Sequence, residues 1–83
     1  MELREKIFNE IKRLNLGKRH IWVFQQYIVF YNKLNPLEKE DFYKELQKLV
    51  DEGLFEVKQD SLVEHLVLTE KGCNIIYSDV DIL

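Results

Sequence analysis

The side chains of this 83-residue chain with the means to do metal or nucleophilic chemistry are Cys73, His20 and His65. A structural zinc site needs four nitrogen or sulfur ligands, commonly in paired CxxC and HxxxH spacings, and a catalytic one needs three. The sequence has no CxxC, no HExxH and no glycine-rich loop able to wrap a phosphate. A Cys73–His65 pair is the one arrangement that would activate a thiolate, and a lone cysteine ordinarily packs as a small hydrophobe instead. His65 alternates with Val63 and Val67 as a partly exposed strand residue would, and His20 stands just before Ile21 at a loop or capping position. No catalytic residue, metal site or cofactor is therefore expected, and the chain reads as a non-enzyme.

Cations are the next chemistry available. Lys12, Arg13, Lys18, Arg19 and His20 fall close together, a cluster able to hold phosphate or to meet an acidic surface on a neighbouring chain. The same residues would also serve simply as the solvated end of a helix, where positive charge complements the helix dipole. Up to Asn35 the chain has seven basic residues against three acidic ones, and from Pro36 onward five against twelve, within a net charge of −3. Such asymmetry points to a charged partner or to self-association.

At this length one domain, 1–83, is expected, too small to surround a deep cleft. Hydrophobic content of 46% with one proline and three glycines describes an ordered globular chain. The single cysteine excludes an intramolecular disulfide, and MELREKIFNEIKR alternates charge with apolar residues where a secretion signal needs an apolar block. A cytoplasmic setting is expected. The most apolar stretch, Ile21 to Tyr31, includes Gln25 and Gln26 and is too short to cross a bilayer, so no membrane association is expected.

The elements that must position these residues follow from periodicity. Leu3, Ile7, Phe8, Ile11 and Leu14 recur at helical spacing and predict a first helix over about 2–15, ended by Gly17. In IWVFQQYIVFYNKL the residue types favour a strand, while Val23, Tyr27, Phe30, Tyr31 and Leu34 are spaced as in a helix. The spacing predicts a second helix over about 21–34. Its further stripe of Trp22, Phe24, Ile28 and Tyr31 suits either a core helix touched on several sides or a dimer interface.

Asn35 as N-cap, Pro36 at the first helical position and Glu38, Glu40 and Asp41 in the early turns start a third helix over about 36–52, stopped by Gly53. LFEVK and SLVEHLVL predict a β-hairpin over about 54–68 turning near Gln59-Asp60, and Thr69 caps a fourth helix over about 69–78. The fold class is α+β, mainly helical, in the order helix, helix, helix, strand, strand, helix.

EDFYKELQKLVDEGLFEV at 40–57 resembles the third helix and first wing strand of small bacterial winged-helix transcriptional regulators, where a Leu-x-x-Leu run ends in Glu-Gly-Leu. LVLTEKGCNII at 66–76 is similar to the second wing strand and following helix of the same broad group, where Leu-Thr-x-x-Gly is common. The resemblance implies that the third helix enters the major groove of double-stranded DNA and that the hairpin touches backbone or minor groove. With Phe42, Leu46 and Leu49 turned inward, Leu37, Glu40, Lys44, Gln47, Lys48 and Asp51 face outward. Lys44, Gln47 and Lys48 are then the candidates to reach DNA, with Lys39 and Lys58 as backbone contacts.

Two departures from that pattern stand out. The third helix has six acids against three lysines, and the wing tip Gln59-Asp60-Ser61 has no cation. An alternative follows: a protein-interaction module without nucleic acid, using the acidic third helix or the aromatic second one. A protein partner or a homodimer is expected on either reading.

Overall fold

The computed structural model describes residues 2–78. Its elements are α1 (Leu3–Arg13), β1 (Ile21–Trp22), α2 (Phe24–Asn32), α3 (Pro36–Asp51), β2 (Phe55–Asp60), β3 (Val63–Leu68) and α4 (Glu70–Ile76), a mainly helical α+β arrangement. All three strands are antiparallel in the order β1-β3-β2, with β3 central. No helix among the described residues is long and apolar enough to cross a membrane.

α1 buries Ile7 and Ile11 completely. Its end differs from the expectation. Asn15, and not Gly17, takes the left-handed conformation, with φ 56°. The Asn15 amide donates to the Lys12 carbonyl and the Leu16 amide to the Ile11 carbonyl, the bond pair of a Schellman stop. Asparagine tolerates this conformation because its short polar side chain bonds locally. Gly17 serves differently: its amide donates to His20 Nδ1 at 2.8 Å.

The sheet contains a strand that periodicity did not reveal. Ile21 and Trp22 pair with Val67 and Leu66 of β3, so the second helix begins at Phe24 and not at Ile21. The Arg19 amide to the Leu68 carbonyl, at 2.7 Å, and the Leu68 amide to the His20 carbonyl, at 2.9 Å, extend the ladder. Without β1 the free edge of β3 would be left unpaired, so backbone demand from a distant strand overrides the local helical spacing. Trp22 is fully buried beside Tyr27, Phe30 and Phe55, with ring centroids 5.6, 6.0 and 6.2 Å away.

α3 starts with a reciprocal cap: the Glu38 amide donates to Asn35 Oδ1 at 2.8 Å, and the Asn35 amide donates to Glu38 Oε1 at 3.2 Å. At its far end Gly53 takes φ 85°, and a second Schellman pair closes through the Gly53 and Leu54 amides. Phe42, Leu46 and Leu49 face the core, and the six residues expected to face outward are all exposed.

The hairpin register puts Phe55 opposite Leu68, Val57 opposite Leu66 and Asp60 opposite Val63. The connection is thus Ser61-Leu62, two residues beyond the expected Gln59-Asp60, with Ser61 at φ 52°. A two-residue hairpin loop needs a positive φ at its first position, and the ladder pairing retains Gln59 and Asp60 within the strand. At the other end of β3, Thr69 Oγ1 accepts from the Gly72 amide at 2.9 Å and lies 2.7 Å from the Gly53 carbonyl oxygen. A Cβ on Gly72 would stand 2.1 Å from the Leu54 carbonyl oxygen, so the start of α4 and the base of the hairpin touch backbone to backbone.

Candidate interaction surface on α3 and the hairpin

α3 has two flanks. One meets α1. There Arg4 Nε donates to Glu45 at 2.8 Å and its NH2 group to Glu52 at 2.6 Å, while Lys6 pairs with Glu38. These contacts raise the Arg4 pKa, first through the Glu52 bond and then through the Glu45 bond. They also hold Glu52 below its ordinary value, chiefly through Arg4, and Glu38 below its own, through Lys6 and the Asn35 amide. Three of the six acids of the segment 36–52 are thereby tied to α1. Asp51 accepts a further bond from Gln47 at 2.9 Å.

The other flank meets the hairpin and forms a shallow groove. Leu46, Val50, Leu66 and Tyr27 make its floor, Tyr43 and Gln47 one wall, and Val57 and Glu64 the other. The groove measures roughly 160 Å³. Tyr43 and Val57 leave about half of their surface open, 52% and 47%, and Leu62 at the hairpin tip is 96% exposed. Among the lining residues the only full charge is the carboxylate of Glu64, and no lysine or arginine is present. Tyr27 fastens the floor to β3 by donating its hydroxyl to the Glu64 carbonyl at 2.6 Å.

His65 links the hairpin to the start of α2. Its ring is almost buried and accepts at Nδ1 from the Phe24 amide at 2.8 Å. Val23, the N-cap of α2, makes no side-chain capping bond, so the histidine supplies from β3 the acceptor that an N-cap residue usually provides. The expectation of a partly exposed strand residue is corrected accordingly. Its Nε2 faces Asp60 Oδ2 at 3.5 Å. Nothing local in the sequence announces this role, since the two partners are 41 residues apart.

Of the candidate DNA contacts, Lys44, Gln47 and Lys48 are exposed neighbours within about one turn of α3, while Lys39 and Lys58 lie apart from them. Lys44 and Lys48 are exposed and share a shallow depression with Leu3, Asp41 and Glu45 on the α1 side. Gln47 lies on the hairpin side. Lys39 sits over the Tyr31 ring, its Nζ 5.6 Å from the centroid. Lys58 is on β2 opposite His65, in a separate hollow with Arg19.

The basic cluster is dispersed. Arg13 pairs with Glu10, Lys18 with Glu70 and Arg19 with Glu56, while His20 accepts from Gly17. Lys12 alone of the four lysines and arginines has no ion pair among the described residues. Of the aromatic stripe, Trp22 is withdrawn into the core and cannot form an interface, and Phe24, Ile28 and Tyr31 are half-buried. No group of three or more His, Cys, Asp and Glu able to hold a metal ion occurs among the described residues. Comparison with protein-family models, with curated proteins and with solved structures finds no match for this chain.

Proposed function

We propose that the chain is a winged-helix domain working as a protein-interaction module, with an apolar segment of another protein docking between α3 and the hairpin. The fold part of this reading rests on α2 and α3 joined by the three residues 33–35, as in helix-turn-helix pairs, on the hairpin that follows α3, and on the two motifs at 40–57 and 66–76. The function part rests on one observation: the groove beside α3 is apolar, half-open and without a cation. DNA binding draws most of its affinity from lysine and arginine against phosphate, and that surface offers none. An apolar peptide with a flanking basic residue matches it, because it would cover Tyr43 and Val57 and neutralise Glu64.

Duplex DNA is the second reading, favoured by Lys44 and Lys48, which are exposed on α3 without an ion pair among the described residues. One pair of titrations separates the two. Peptides selected from a random displayed library are expected to be apolar with a lysine or arginine, and to bind about tenfold more weakly after Val57→Asp or Tyr43→Ala. A mixed duplex-DNA pool, followed by fluorescence anisotropy at low and high salt, is expected not to bind. Micromolar DNA binding that weakens steeply with salt, or peptide binding indifferent to both substitutions, would overturn the proposal.

A further inference from the structure

α1 also borders α4, and a second groove runs between them, lined by Glu5, Phe8, Lys12, Ile75 and Ser78 among others. Phe8 is half-buried there and Ile75 is 42% exposed. The charges of α1 divide in an instructive way. Arg4, Lys6, Glu10 and Arg13 each form an ion pair within the chain. Glu5 and Lys12 form none among the described residues, and both line this groove.

Their spacing is seven residues, two turns of helix, which puts them on one face about 10.5 Å apart along the axis. Phe8 falls on the same face near their midpoint. A surface bearing an acid, a central aromatic ring and a base in a row is complementary to itself when turned about a two-fold axis through the middle. We infer that a second copy of this chain occupies the groove, the two α1 helices lying antiparallel with Glu5 opposite the partner's Lys12 and Lys12 opposite the partner's Glu5. The two Phe8 rings meet near the axis, and Ile75 at the edge of α4 widens the apolar centre. Such an isologous contact repeats each favourable pair twice and closes at two subunits. It uses none of the residues that line the α3–hairpin groove, so both surfaces can be occupied at once.

Sedimentation of the full chain at micromolar concentration tests this, with circular dichroism to verify the fold of each variant. The wild type is expected to be dimeric and to dissociate as salt is raised. Lys12→Glu alone, or Glu5→Lys alone, sets like charges face to face and should weaken the dimer at least about tenfold. The double swap Glu5→Lys with Lys12→Glu restores opposite charges and should bring the dimer back. If the double swap loses helix because it opposes the α1 dipole, Glu5→Gln with Lys12→Gln replaces it and should give intermediate weakening. A wild type that is monomeric throughout, a dimer unmoved by the single swaps, or folded variants whose double change neither restores nor weakens as stated would each overturn the inference. Peptide binding at α3 should be the same in dimer and monomer, so failure here is distinguishable from failure of the docking proposal.

Discussion

The two flanks of α3 and its C-cap Glu52 come from one continuous segment, 36–52, and behave as different materials. Toward α1 the helix is tied by charge: Glu38, Glu45 and Glu52 each meet an arginine or lysine of α1. Toward the hairpin it forms no ion pair among the described residues and presents Tyr43, Leu46 and Val50 to the groove shared with Val57 and Leu66. Half of the acids that make α3 look hostile to DNA, Glu38, Glu45 and Glu52, are ties to α1 on the flank away from the groove. What argues against phosphate on the hairpin side is a missing cation, not a surplus of carboxylates.

The largest effect is expected from pushing the hairpin off. Gly72→Ala forces a methyl group against the Leu54 carbonyl, and backbone cannot yield as a side-chain tip can. A loss of about 3 kcal/mol in urea unfolding is expected, with peptide binding lost at temperatures where α1 and α3 remain helical. A substitution that left stability unchanged would show that the helix start has room to move.

Next in size is His65→Ala, which strips the acceptor from the Phe24 amide and opens a small void beside it. A buried donor without a partner costs about 2 kcal/mol, measurable as a shift in the urea midpoint, and the loss should persist at high salt because the bond is sheltered. Arg4→Ala is the counterpart on the charged flank. It should cost about 1 kcal/mol at low salt and much less in molar salt, so the two substitutions are told apart by ionic strength. Equal salt dependence for both would erase the distinction between the flanks.

The smallest effect is with acid. Glu10, Glu38 and Glu52 are held below their ordinary values by Arg13, Lys6 and Arg4 respectively. A carboxyl group depressed in the folded state adds stability above its unfolded pKa, about 4.3, and loses it as pH falls through the folded value. Stability should therefore be flat near neutral pH and decline below about pH 4. The gap between wild type and Arg4→Ala should narrow over that same range, because protonating Glu52 removes the bond that the substitution removes. A gap that stays constant into acid would place the worth of Arg4 in packing.

Much of this architecture is written locally. The stripe of α1, the Asn35-Pro36 start and Gly53 stop of α3, and the Thr69 cap of α4 depend on residues a turn or two apart. What sequence could not reveal depends on distant partners. β1 is two residues long and owes its conformation to β3, across more than forty positions. Of the candidate site, the outward set on α3 was readable from helical spacing alone. Which hollow each would line was not, since Gln47 borders the groove toward the hairpin while Lys44 and Lys48 border the depression toward α1 only once the chain is folded.

The Phe24 amide donates to Nδ1 of the His65 ring. Because Nδ1 accepts, the ring proton is on Nε2, and the tautomer of a single imidazole is coupled to the attachment of the hairpin. Nitrogen-15 spectra of that ring should then register detachment of the sheet from α2 as exchange between tautomers. The histidine is thus a built-in gauge of local opening, legible before the molecule as a whole unfolds.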